Sequence, residues 1–193
     1  MGETLSILAF SGSTRRNSYN HKLLMSAVEG AKCADVSVTQ INLRDYPMPI
    51  YDGDYEEAEG IPETAKALKK VFLSHQGLLL ASPEYNSSIS GVLKNTIDWL
   101  SRREEGEAPL VCFKGKVVSL MSASPGALGG LRGLVHVRAI LGNIGCIVLP
   151  EQVAVPSADQ AFDADGRLLD DAVRKRVEGL GRNLAGMLKK LYR

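Results

Sequence analysis

Two rhythms of apolar spacing alternate along this chain. Short, mainly apolar runs read as strands; longer stretches with apolar residues three and four apart read as helices. The first run is Thr4–Phe10, ending in Ser11-Gly12-Ser13, and it has the look of a parallel strand buried on both faces. Leu23, Leu24, Ala27, Val28 and Ala31 then mark a first helix, and Val36–Leu43 alternates as a second strand. After an excursion over Arg44–Gly60, Ala65, Leu68 and Phe72 predict a second helix with Pro62 in its first turn. Gly77–Ala81 is a third strand. A polar loop and an amphipathic helix follow it within Ser82–Leu100. That helix is capped by Ser90, buries Leu93, Ile97 and Leu100, and carries Lys94–Asp98 and Asp98–Arg102 as i,i+4 pairs. Val117–Met121 is the fourth strand, and Leu128, Leu131, Val135 and Ala139 set the face of the next helix. Gly142–Gly145 turns the chain into a fifth strand, Cys146–Leu149, closed by Pro150. A turn-rich stretch to Leu169 precedes a long helix with the stripe Val173, Val177, Leu180, Leu184, Leu188, Leu191. Strand and helix thus alternate five times with short connections, which predicts an α/β fold: a five-stranded parallel sheet with helices on both faces.

In such a sheet, ligands bind at the loops that leave the carboxyl ends of the strands. Three of these loops carry chemistry. The first, Gly12–Asn20, offers Ser13, Thr14, Ser18 and Asn20 with Arg15 and Arg16, just ahead of a helix whose free N–H groups favour an anion. It is neither GxxxxGK[ST] nor GxGxxG, and a capped helix with two solvated arginines explains it equally well. The second loop places the aromatic face of Tyr85 and the amide of Asn86 after Pro83 and Glu84. Core packing alone has no use for that polar cluster, whereas Trp99 farther on reads as a core aromatic or a subunit contact. The third, Ser122–Gly130, is small and glycine-rich, so backbone can approach a flat ligand closely; a flexible turn is the plainer account of it.

Length and composition narrow the partners. The 193 residues suit one domain, 1–193, with 45% hydrophobic and 23% charged residues. A balance of 23 Lys+Arg against 22 Asp+Glu leaves a net charge of +1, so no strong field marks nucleic acid or a membrane surface as partner. Cys33, Cys112 and Cys146 have no metal spacing and fit reduced thiols in a cytoplasm. No signal peptide or membrane-length apolar run is legible. Asp163-Ala164-Asp165-Gly166 starts like a calcium loop but lacks the remaining ligands, so it reads as a turn.

Gly12-Ser-Thr-Arg-Arg-Asn-Ser-Tyr-Asn20 resembles the phosphate loop of the NADPH-dependent FMN reductase family, a branch of the flavodoxin-like fold. Pro83-Glu-Tyr-Asn86 followed by Gly91-Val-Leu-Lys-Asn-Thr-Ile-Asp-Trp99 is similar to the family's most specific motif, and Ser122-Ala-Ser-Pro-Gly126 to its third flavin loop. The resemblance runs from about Ser6 to Pro150; one departure is Ser90, where many members have proline. It implies a three-layer α/β/α sandwich with strand order 2-1-3-4-5. It implies further that Ser13, Arg15, Ser18, Tyr19 and Asn20 hold the FMN phosphate, that Pro83, Glu84, Tyr85 and Asn86 border the ring and ribityl chain, and that Ser122, Ala123, Ser124 and Gly126 line the other edge. The implied activity is transfer of a hydride from NADPH or NADH through bound FMN to a small acceptor such as a quinone, free flavin, chromate or azo compound, in a homodimer or homotetramer. The flavin would carry the chemistry, with no obligatory acid or base from the protein. His21, His75 and His136 converge on none of the motifs. The rival readings are an electron carrier of flavodoxin type, an iron–sulfur flavoprotein, and a flavin-free binding domain; a carrier is usually strongly acidic, and the cysteine cluster of the second is missing.

Overall fold

The computed structural model describes residues 5–192, so Thr4 lies outside the described residues. The first apolar run forms β1 (Ser6–Ser11), and α1 (Tyr19–Lys32) follows it, capped by Ser18, whose Oγ accepts the His21 N–H. β2 is only Ser37–Gln40, because Asn42 caps a single 3₁₀ turn, Leu43–Asp45, directly after it. The excursion to Gly60 is ordered. It contains α2 (Gly53–Glu59), and its Pro49 carbonyl accepts both Asn95 Nδ2–H (2.9 Å) and Trp99 Nε1–H (2.7 Å). Trp99 is wholly buried there, edge-on to Tyr51 and Tyr55; it is a core aromatic and not a subunit contact.

Pro62 stands as N-cap of α3 (Glu63–Leu73), one position before the expected first turn. β3 is Gly77–Ala81, as read. The polar loop beyond it is itself a hairpin, β4 (Glu84–Tyr85) paired with β5 (Ser88–Ile89). Asn86 and Ser87 turn it with φ of 50° and 64°, the left-handed pair of a tight two-residue turn. Ser90 caps α4 (Gly91–Leu100), and Leu93, Ile97 and Leu100 are buried along it. Lys94 pairs with Asp98 at 2.7 Å, but Arg102 Nε donates to the Asp98 carbonyl instead of its carboxylate.

β6 runs Val117–Ala123 and α5 Leu131–Asn143. The face of α5 that packs on the sheet is Leu134, Val137 and Leu141; Leu128, Leu131, Val135 and Ala139, the expected face, are exposed. Pro150 does not end the last strand: β7 continues from Ile147 to Val155 through a bulge against β6 between Val118 and Leu120. An edge strand tolerates a proline at a bulge. Arg138 braces the bulge, donating to the carbonyls of Leu149 (2.8 Å) and Pro150 (3.3 Å) and to the side-chain Oε1 of Gln152 (2.9 Å). Asp163–Gly166 closes as a turn, Gly166 N–H on Asp163 O. α6 (Asp171–Tyr192) buries the expected stripe apart from Val173, which is half-buried, and Leu191, which is exposed.

The sheet order is β2-β1-β3-β6-β7, all parallel, which is the expected 2-1-3-4-5 of the main strands. α1 and α6 cover one face and α3, α4 and α5 the other. α1 and α6 cross at Gly30 and Gly181, where a Cβ would run into the carbonyls of Glu178 and Ala27. Reversal of strand order between β1 and β3 creates the switch point where such sheets bind ligands.

Candidate functional site

The ladder of the central strands extends into all three loops. Gly12 N–H donates to Ala81 O (2.9 Å), Ser82 N–H to Met121 O (2.8 Å) and Ser124 N–H to Val155 O (3.1 Å). The three loops therefore leave the sheet side by side. Three further contacts, between residues far apart in sequence, clamp them to one another.

Ser90 makes the first clamp. Its Oγ accepts the Leu93 N–H as helix cap and donates to Gly12 O at 2.5 Å. A proline at this position has no hydroxyl to donate, so the one departure from the family motif adds a tie between the first and second loops. Gly12 itself has no room for a side chain: a Cβ would meet Leu93 at 3.0 Å and Pro83 at 3.2 Å.

Asn20 makes the second. Its side chain is buried, with Nδ2 donating to Ala123 O (2.8 Å) and Oδ1 accepting the Ala123 N–H (3.0 Å). Both ends of the amide pair with Ala123 and join α1 to the end of β6, so the Asn20 side chain is a strut under the first loop. Ala123, for its part, presents backbone to Asn20 on the inside.

Glu84 makes the third. Gly130, which precedes α5, offers no capping side chain. Glu84 Oε2 accepts the Gly133 N–H at 2.9 Å in its place, and Oε1 faces Arg132 Nε at 3.3 Å. An anionic carboxylate at a helix N-terminus is well placed against the free N–H groups. Its carboxylate therefore anchors the hairpin to α5. Ser88 reinforces the contact through His136 Nδ1 (2.9 Å), so His136, unlike His21 and His75, does converge on the second motif. His75 is buried at the opposite end of the sheet, its Nδ1 2.6 Å from Val71 O.

Between the clamps, groups remain that could hold a ligand. Arg15 and Arg16 are exposed and Ser13 half-buried, with Ser13 Oγ accepting the Arg15 N–H at 3.3 Å. Ser18 Oγ is engaged as helix cap, which leaves the Tyr19 and Asn20 N–H groups without an intrahelical acceptor. Tyr19 stacks on Phe162, ring centroids 6.2 Å apart, at the flank of the loop. Tyr85 is 50% exposed at the tip of the hairpin beside exposed Asn86, while Pro83 is buried beneath them. Ser124 Oγ accepts the Gly126 N–H at 3.2 Å and shapes the third loop.

Among the described residues, four buried hydroxyls have no hydrogen-bond partner, Ser11, Ser82, Ser119 and Ser122. Three of them stand at the carboxyl ends of β1, β3 and β6. A cationic, N–H-rich loop beside an exposed aromatic, over unused hydroxyls, fits the phosphate and polar ring edge of a flavin mononucleotide. Two of the open clefts among the described residues lie elsewhere. One, of about 760 Å³, runs between α1 and the 164–167 turn; the other, of about 370 Å³, lies behind β7 beside Leu168 and Val173. Neither is lined by any residue of the 13–18 or 83–86 segments, so neither carries the site. Among the described residues no His/Cys/Asp/Glu group could hold a metal ion, and no helix is long and apolar enough to cross a membrane.

Comparison with known proteins agrees with this geometry. The family model described as NADPH-dependent FMN reductase matches residues 5–160. The chain is 36% identical over 179 residues to an NAD(P)H-dependent FMN reductase of Pseudomonas aeruginosa, covering 92% of each protein. It is 32% identical to a quinone reductase of Escherichia coli (strain K12), covering 93% of each. Among solved structures, the flavoenzyme NAD(P)H:(acceptor) oxidoreductase FerB of Paracoccus denitrificans superposes with a TM-score of 0.79 at 26% identity, covering 96% of this chain and 98% of that one.

Proposed function

The chain belongs to the NADPH-dependent FMN reductase family, and from that premise we propose that it reduces small quinones with NADPH or NADH, its FMN lying across the three clamped loops. It is an FMN-dependent NAD(P)H oxidoreductase of the flavodoxin-like fold. The observation that carries the site is the set of clamps. Ser90, Asn20 and Glu84 fix three loops against one another and leave the first loop's cations, Tyr85 and the strand-end hydroxyls unspent.

A bound FMN would supply the two-electron chemistry between NAD(P)H and the acceptor. The protein's own part is to bind, orient and solvate. Ser13, Arg15 and the first-turn N–H groups of α1, behind the Ser18 cap, receive the phosphate dianion. Pro83, Tyr85 and Asn86 border the ring, and Ser122 and Ser124–Gly126 line its far edge. The side chains of Asn20 and Glu84 and the backbone of Ala123 position these groups. Tyr85, half exposed, leaves an open side to which nicotinamide and quinone come in turn.

We place the enzyme in the cytoplasm, where its reductant is made and its three free thiols stay reduced, and treat 1–193 as one domain. Leu128 (49% exposed), Leu131 (42%) and Val135 (58%) form an apolar stripe beside the hairpin, the surface we assign to a homodimer or homotetramer contact. The test is steady-state NADPH oxidation by the flavin-loaded protein. Stoichiometric conversion of a small benzoquinone to its hydroquinone supports the reading. Negligible turnover with quinones, but reduction of a one-electron protein acceptor, would replace it with an electron carrier.

A further inference from the structure

We propose that Arg44, which no motif marks, is a positioning residue of the first loop: it holds the Thr14–Arg15 peptide so that the loop turns donors, and not a carbonyl, toward the flavin phosphate. The inference rests on the reading of that loop as the phosphate subsite.

Arg44 is firmly rooted at its backbone. Asn42 Oδ1 accepts its N–H at 3.0 Å, and the neighbouring Leu43 is buried in the core. From that turn the exposed side chain crosses to the first loop, where Arg44 Nη2 donates to the Thr14 carbonyl. The same peptide unit is held on its other side, since the Arg15 N–H donates to Ser13 Oγ at 3.3 Å. In a trans peptide the C=O and N–H point in opposite directions, so fixing both fixes the plane. Ser13 Oγ, already accepting from Arg15, has its own hydroxyl proton left to give to an anion. A peptide flip would reverse all of this and set the Thr14 carbonyl dipole against the phosphate.

Charge points the same way. None of the ion pairs among the described residues uses Arg15, Arg16 or Arg44. Three arginines thus belong to or reach one loop with no carboxylate paired to any of them, an excess of positive charge that an anion relieves.

The test compares two ligands that differ only in the phosphate. Flavin-free wild type, Arg44→Ala and Arg44→Lys are titrated with FMN and with riboflavin by quenching of flavin fluorescence, and each protein's urea midpoint is measured. The expected result is a roughly tenfold loss of FMN affinity in Arg44→Ala, the scale of one charged hydrogen bond. Riboflavin affinity and the urea midpoint stay unchanged, and Arg44→Lys recovers part of the loss. FMN and riboflavin falling together, or neither falling, overturns the assignment. A wild type that binds the two flavins equally removes the phosphate subsite itself, a result that no Arg44 variant is needed to see.

Discussion

Replacing Asn20 separates a strut from a ligand. In Asn20→Ala the Ala123 N–H and C=O lose the amide that satisfies both, in a position closed to water. A buried backbone group left unpaired costs about 1–3 kcal/mol, so two together cost roughly 2–5 kcal/mol. For a chain of this length each kcal/mol moves the midpoint by about 2–4 °C, so the expected fall is roughly 4–20 °C. The assay is urea and thermal unfolding of flavin-free protein, because bound flavin would add its own stabilisation by mass action. Asn20→Asp sharpens the argument. Its carboxylate can still accept the Ala123 N–H but sets a second oxygen against Ala123 O, so at pH 7 it is no more stable than Asn20→Ala. Protonation restores a donor, so the gap from wild type narrows as pH falls towards about 4. A properly stable Asn20→Ala that loses FMN but keeps riboflavin would refute the strut and return Asn20 to the phosphate.

Glu84→Ala leaves the Gly133 N–H uncapped and costs about 1–2 kcal/mol in chemical denaturation, whereas Glu84→Gln, which keeps an acceptor, costs less than half of that. Burial holds the Cys112 thiol up at about 11 and Cys146 at about 12, so at pH 8 a disulfide reagent titrates only the exposed Cys33 in native protein and all three thiols in urea. Unfolding returns both buried thiols to their ordinary value near 9.0, so the unfolded chain sheds those protons first and stability falls as pH climbs from about 9 towards 11. Burial also pushes Lys116 down, which opposes that fall, and Cys146→Ala therefore shows a shallower net decline than wild type. Val135→Glu places a charge in the exposed α5 stripe and shifts the protein toward monomer in size-exclusion chromatography with light scattering, while its urea midpoint holds.

The order of elements was legible because a buried parallel strand and an amphipathic helix leave different local periods, as Gly77–Ala81 and Gly91–Leu100 show. Faces and ends were harder. α5 is apolar on two sides, Leu131–Val135–Ala139 and Leu134–Val137–Leu141, and spacing alone cannot say which one meets the sheet. Pro150 has the look of a terminator until Arg138, twelve residues earlier, is seen to serve the bulge. The hairpin did leave a local signal, the turn-forming pair Asn86-Ser87 between Tyr85 and Ile89, which the polarity of the loop concealed. In the site, the three loops could be read from their composition but the roles within them could not. Asn20 and Glu84 have the polar side chains expected of ligand groups. What they touch, Ala123 and Gly133, lies 103 and 49 residues away. Arg44 had no local signal at all, since its partner Thr14 is set by the fold.

A crystal structure of the protein with FMN bound would decide whether the three clamped loops form the flavin site. The phosphate is expected within hydrogen-bonding distance of Ser13 and the first-turn N–H groups of α1, and the ring between Tyr85 and the Ser122–Gly126 loop, with the Asn20 side chain still paired to Ala123. Flavin seated in the cleft behind β7, or with its phosphate away from the first loop, would contradict it.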